Sequence, residues 1–484
     1  MAALRAPHAL EPLRHRGFRL LTAGQVASSV GDACYAVALP WYVLAGHGGA
    51  LLLGTVLAAY GIPRTLLITA GGYASDRWGP QKVMMASDIA RTLAVAALAL
   101  TASLGTAHAA VLVPIAAVLG AGEGLFLPGS FSIIPSLLPG EDLQAGNALA
   151  SSGTQLAALA GPAIGGAVVA LAGTSPAFAI DAASFAVSAA TLAGLARLRG
   201  APPAPLPATA VPAGPADPAA EPPPALRTLL RTERILLVIL VVNIAANIGM
   251  GGMEGVALPA LARGPFHAGA GAYGAVLAAF GGGALAGTIA VGQVRGIRRP
   301  AFTASFFFLA QAACTGLVPY LGGIPGAAAA MAGLGIANGF GNILTITAFQ
   351  RWAPPDLLGR LTGLLLLTSF GVFPLSVALG ALFVSGLGPA PFFLFAAGTL
   401  AAAILFGLTQ RSWREFGADQ AARADGAQGG DVEPRSARKT QNNHPVRWLP
   451  RIPHRPSSSD RTAGPCSTTT GPSAAGSPAR PGGS

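Results

Sequence analysis

The chain has 484 residues, 52% of them hydrophobic and 10% charged, with 65 Gly, 40 Pro, a net charge of +11 and a mean hydropathy of +0.57. A soluble domain carries roughly 25% charged residues, so this chain cannot cover a water-facing surface, which excludes a soluble enzyme and a nucleic-acid binder built on basic charge. The three cysteines, Cys34, Cys314 and Cys466, stand far apart without disulfide or metal-ligand spacing, which excludes a disulfide scaffold.

A membrane-crossing helix needs about 20 mostly apolar residues. Taken in order, such runs occupy 19–45, 50–73, 83–104, 109–130, 148–172, 177–197, 234–258, 270–294, 300–320, 325–349, 361–385 and 389–409. Gly and Ala fill many of them, which suits close helix packing in lipid. None alternates in polarity, as barrel strands of about ten residues would. The prediction is an all-α polytopic membrane protein with twelve transmembrane helices.

Residues 1–18 form a short N-terminus with Arg5, Arg14 and Arg16 but no short apolar core and cleavage site, so no removable signal peptide is expected. Arginine asymmetry sets the orientation. With the N-terminus inside, the inner loops collect Arg77 and Lys82, then Arg197, Arg199, Arg227 and Arg231, then Arg295, Arg298 and Arg299, then Arg351 and Arg360. On the outer side Arg263 stands nearly alone. Both termini are therefore expected in the cytoplasm, with the chain multi-pass in the cell membrane.

Residues 200–233 are rich in Pro and Ala, reading as a semi-extended linker between six-helix bundles at 19–199 and 234–409. The bundles echo each other: Pro139 to Asn147 reads PGEDLQAGN and Pro354 to Arg360 reads PPDLLGR, each just before a new span. Such repeats are typical of transporters, whose substrate site lies between them near mid-membrane. The polar, basic stretch 410–484 lacks periodicity and is expected to be a disordered cytoplasmic tail.

Between spans 2 and 3 the chain reads Gly72-Tyr73-Ala74-Ser75-Asp76-Arg77-Trp78-Gly79-Pro80-Gln81-Lys82. This resembles the loop signature of the major facilitator superfamily, with Pro80 and Gln81 where a basic pair is usual. The resemblance implies a major facilitator fold and a conformational lock built on Gly72, Asp76, Arg77, Gly79 and Lys82. Gly72 would allow close helix approach, and Asp76 would accept hydrogen bonds at a neighbouring helix N-terminus. Span 5 carries Gly161, Pro162, Gly165 and Gly166. These resemble the fifth-helix Gly-Pro motif of exporters, which implies a kinked, sealing helix. Ser184-Phe185 after Asp181, with the pattern from Arg351 to Arg360, is similar to the branch of drug, macrolide and siderophore exporters. Glu123 stands near the Gly run 120–124 where many proton-coupled exporters have an arginine.

Ionisable groups inside a membrane are costly and default to functional hypotheses. Asp32 lies about 20 Å deep in span 1 and Arg64 about 15 Å deep in span 2, counted at 1.5 Å per residue, so a contact between them is allowed. Asp88 and Arg91 share one face of span 3, and Glu123 lies at a similar depth, where it can face Arg91. Either Asp32 or Glu123 carries the coupling proton or meets substrate, with Arg64 or Arg91 tuning it. Asp88 and Arg91, with Glu123 as a possible third member, read as a structural charge cluster. Asp181 and Glu254 fall nearer the outer face, where hydration is the expected role. Asn243, Asn247, Gln25 and Asn338 are expected to make interhelical hydrogen bonds, and Trp41 and Tyr42 to anchor at the membrane interface. Tyr60 and Phe280 suit either a cavity wall or plain packing.

The sequence holds no Walker loop, histidine cluster or paired acids for a metal, so neither an enzyme nor a cofactor is expected. The function read from the chain is a proton-coupled exporter of small amphipathic molecules working by alternating access. Import of a small metabolite is the alternative, followed by a membrane scaffold or lipid-modifying enzyme. Expected partners are a small-molecule substrate, protons and membrane lipids, without nucleic acid, and a monomer is the expected unit.

Overall fold

The computed structural model describes residues 8–417 except 47, 106–107, 200–232, 295–296 and 354. Most of the linker, the first seven residues and the tail from 418 onward lie outside these. Lipid offers backbone groups no hydrogen-bond partner, so each span must satisfy its own in a helix. Twelve helices form: α1 Arg16–Ala45, α2 Gly49–Trp78, α3 Pro80–Ser103, α4 Ala109–Ile133, α5 Leu143–Ala172, α6 Thr174–Arg199, α7 Arg234–Arg263, α8 Ala270–Gln293, α9 Pro300–Leu317, α10 Gly323–Trp352, α11 Pro355–Leu387 and α12 Ala390–Thr409. Among the described residues, eleven are long and apolar enough to cross a membrane by length and composition. The remaining one, α1, has 30 residues but spends several on Arg19, Gln25, Ser28, Ser29 and Asp32.

The helices pack in two bundles. In the first, α1 lies on α5 and α6, α2 on α4, and α3 on α4 and α6. In the second, α7 lies on α11 and α12, α8 on α10, and α9 on α10 and α12. Each of these pairings of the first bundle recurs six helices later, so the loop echo read in the sequence accompanies a structural repeat. The bundles meet along α2 against α11 and α5 against α8, again a pair related by the same shift.

Two boundaries differ from the sequence reading. The tail does not begin at 410: Arg411–Arg414 form a further helical turn, with Trp413 fully buried and Phe416 packed beside it. The Trp413 indole donates to the Ser305 hydroxyl at 2.9 Å. A polar composition hid this, because one tryptophan among arginines leaves no periodic signal. The seventh span is interrupted, with a wide π turn at Met253–Ala257 inside an otherwise α-helical rod.

Glycine decides where helices come close. At Gly79 the backbone adopts φ +88°, a left-handed conformation that glycine accepts without strain, so one residue joins α2 to α3. Pro80 then starts α3, where its missing N–H costs no helical bond.

Candidate functional site

The two bundles touch from the end opposite the termini down to about mid-depth. At the far end Trp41 of α1 and Arg263 of α7 stack at 6.0 Å. Lower, a side chain on Gly61 would strike Phe373, and one on Gly166 would strike the Ala270 carbonyl at 2.9 Å. At mid-depth the Thr65 hydroxyl donates to the Phe370 carbonyl at 3.0 Å, and the Arg64 guanidinium lies 4.1 Å over the Phe370 ring. Nearer the termini, no hydrogen bond, ion pair or ring contact joins the bundles among the described residues. Gly72, Gly292 and Gly363 there have open space beside them.

A cavity of about 490 Å³ lies between the bundles, within the usual range for a small-molecule site. The first bundle contributes Asp32, Tyr35, Tyr60, Arg64, Glu123 and Asp181 to its wall. From the second come Glu254, Tyr273, Phe280 and Phe373. Asp32 is accessible to solvent although it sits near the middle of α1, because its accessible surface belongs to this cavity. Tyr60 and Phe280, left open by the sequence, both face it.

The charge pairs differ from those expected. Arg64 does not bond Asp32. It pairs with Glu123 at 3.1 Å, and the Tyr60 hydroxyl donates to the other oxygen of the same carboxylate. The reason is helix spacing: α2 and α4 pack backbone to backbone, since a Cβ on Gly124 would lie 2.5 Å from the Arg64 carbonyl. In contrast, α1 packs on α5 and α6. Nor does Glu123 meet Arg91. Arg91 pairs with Asp88 one turn away, and the Ser188 hydroxyl of α6 donates to Asp88 at 2.6 Å. Phe126 and Phe185 cover the Arg91 guanidinium at 4.6 and 4.3 Å.

Asp181 and Glu254 are not surface groups hydrated at the outer face. Asp181 is 1% exposed, lines the cavity and lies beside the Ser184 hydroxyl. The spacing Asp181, Ser184, Ser188 is a polar stripe on one face of α6 and was the signal available for it. Glu254 lines the cavity from the π turn, and a lone acid amid Gly249, Gly251, Gly252 and Gly255 was its only sequence mark. Tyr35, which the sequence did not single out, has a buried hydroxyl without a hydrogen-bond partner at the cavity wall. Tyr42 is buried and donates to the Thr101 carbonyl at 3.2 Å, so it joins α1 to α3 and is not an interface anchor.

The amides behave largely as expected. Asn243 donates to Thr368 and Ser369 on α11, Asn247 to Ser369, and Asn338 to Gln311. Gln25 is the exception, with no side-chain bond among the described residues.

The charged side chains of the loop signature face outward. Asp76, Arg77 and Lys82 are exposed, and Asp76 accepts no hydrogen bond from a helix N-terminus among the described residues. The close approach falls to Gly71, whose Cβ would lie 2.8 Å from the Gly124 carbonyl, and not to Gly72. Gln81 donates to the Leu192 carbonyl at 2.6 Å, tying α3 to α6. In the fifth helix, Gly161 and Gly165 face α1, Gly166 faces α8, and Pro162 lines the cavity beside Gly274.

Residues 21–254 match the family model described as Major Facilitator Superfamily. Over 194 residues the chain is 32% identical to the multidrug efflux pump Tap of Mycobacterium tuberculosis, covering 39% of this chain and 46% of that protein. The chain thus matches about half the length of that curated relative. A bacterial homologue of the iron transporter ferroportin, solved in an inward-facing state, superposes with a TM-score of 0.61 at 16% identity, covering 81% of this chain and 96% of its own. The nucleoside transporter NupG superposes with a TM-score of 0.58 at 13% identity, over 81% and 99% of the two chains. The repeat of six helices, the cavity between the halves and the match of residues 21–254 to the family model together make this multi-pass membrane protein similar to the major facilitator superfamily, whose fold it shares.

Proposed function

We propose that the protein is a proton-coupled exporter of small amphipathic molecules that works by rocking its two bundles about the central cavity. The observation that carries this is the cavity wall itself, where Asp32 faces solvent at mid-depth beside aromatic rings from both bundles. Apolar rings suit the body of an amphipathic molecule, and an accessible intramembrane carboxylate suits a proton carrier. Similarity over 39% of the chain to a multidrug efflux pump favours export.

The arginines on the terminal side favour a cytoplasmic location for both termini. In that orientation the structure is inward-open: the bundles close on the outer side and part on the cytoplasmic side. The loop signature between α2 and α3 is then a lock released in this state and engaged when the bundles close. Gly161, Pro162, Gly165 and Gly166 serve the opposite closure by keeping α5 tight against α1 and α8. Asp32 and Glu123 are the carboxylates for coupling or substrate contact, Arg64 holds Glu123, and Asp88 with Arg91 form the structural cluster.

Reconstitution into vesicles with a clamped membrane potential tests the reading. Ethidium is expected to accumulate in vesicles with an acidic lumen and to be released by nigericin. Accumulation driven by an alkaline lumen would instead mean symport and import. Ethidium movement indifferent to the gradient would remove proton coupling.

A further inference from the structure

The hydrogen bonds around the break in α7 are specific. In an unbroken α-helix the Gly252 N–H would donate to the Ile248 carbonyl four residues back. Here the hydroxyl of Ser376, on α11, sits between them. It accepts from the Gly252 N–H at 2.7 Å and donates to the Ile248 carbonyl at 2.7 Å. A side chain inserted into the ladder is a recognised cause of helix distortion, and the π turn Met253–Ala257 follows directly. Wide turns of this kind cluster at functional sites. Ser376 is fully buried, and it reaches the ladder because α11 approaches without a side chain between: a Cβ on Gly380 would lie 2.9 Å from Gly252 Cα.

Glu254 sits on this turn and lines the cavity. Its backbone carbonyl accepts from the Tyr273 hydroxyl at 3.1 Å, which holds the turn from α8 as well. Its carboxylate makes no ion pair among the described residues. The cavity's two guanidinium groups are already committed, Arg64 to Glu123 and Arg91 to Asp88. Asp32 and Asp181 from the first bundle make no ion pair of their own but share the field of Arg91, and Asp32 that of Arg64, whereas no basic group acts on Glu254 of the second bundle among the described residues. A molecule spanning the cavity meets a network of carboxylates and guanidiniums on the first bundle and a lone carboxylate on the second.

We propose that Glu254 is the second bundle's anchor for a positively charged group of the bound molecule, and that Ser376 is a positioning residue that holds the α7 break open so that Glu254 stays in the cavity wall. This rests on the cavity being a small-molecule site, but it can be tested without transport. A cation held between Asp32 and Glu254 contacts both halves at once, and so couples binding to their relative position.

The experiment is equilibrium binding to the purified full chain in detergent, with tetraphenylphosphonium as the cation and chloramphenicol as a neutral comparison. Glu254→Gln is expected to lower the ratio of cation to neutral binding about tenfold, as loss of one partly solvated charge pair should. Ser376→Ala frees Gly252 to bond Ile248 directly, and should lower the same ratio in the same direction. Ser376→Thr keeps the hydroxyl and should restore it, which a merely structural role would not require. An unchanged ratio in Glu254→Gln overturns the anchor, as does wild-type protein that binds no cation. An unchanged ratio in Ser376→Ala overturns the positioning role. Binding that follows these expectations in a protein that moves nothing across vesicles would overturn the exporter reading alone.

Discussion

Gly124→Ala is a one-methyl test of how the site is assembled. The new Cβ would lie 2.5 Å from the Arg64 carbonyl and 3.1 Å from Arg64 Cα. Backbone atoms cannot swing aside, so α2 and α4 must separate by about 0.9 Å to reach an ordinary carbon–oxygen contact of about 3.4 Å. The Arg64–Glu123 pair, now at 3.1 Å, would then open to about 4 Å, beyond hydrogen-bonding range. Overpacking of this kind costs about 1–3 kcal/mol, so thermal unfolding in detergent should fall by a few degrees. The lost charge-assisted bond adds about 1.5–3 kcal/mol against the arranged site. Gradient-driven transport should consequently drop roughly ten- to a hundred-fold. Gly398→Ala is the control, since a Cβ there meets open space on α12 and stability should hold. If Gly124→Ala keeps both its melting temperature and its transport rate, close packing of α2 on α4 does not hold the Arg64–Glu123 pair in place.

Asp32→Asn keeps shape and removes the titratable group, so gradient-driven transport and its pH dependence should vanish while downhill exchange persists; a wild-type pH profile would take Asp32 out of coupling. Asp88→Ala leaves Arg91 buried without its carboxylate and should cost about 3–5 kcal/mol, read as a lower melting temperature that Asp88→Ala with Arg91→Met partly recovers. No recovery in the double variant would mean that Asp88 stabilises through Ser188 alone. Trp413→Ala should cost about 3–5 kcal/mol through lost packing and the bond to Ser305. An unchanged melting temperature would return residues 411–417 to the dispensable tail.

Span number, repeat and family resemblance are legible in the chain because each depends on local quantities. A helix in lipid must satisfy its own backbone, so length and apolarity alone mark it. The helix boundaries from Arg16–Ala45 to Ala390–Thr409 accordingly fall within a few residues of the apolar runs for most spans. The contacts of the charges are another matter. In water a polar stripe tells which face of a helix points out; in lipid both the buried and the exposed face are apolar, and that periodicity disappears. Asp32 and Arg64 therefore looked like neighbours by depth, while Gly120 and Gly124 bring Glu123 to Arg64 instead. Asp181 and Glu254 looked peripheral by depth, and neither the polar stripe Asp181, Ser184, Ser188 nor the glycines around Glu254 says which way those side chains turn. Only the rotation of each helix about its axis, set by small residues and by a serine wedged into a neighbouring ladder, turns them into the same cavity.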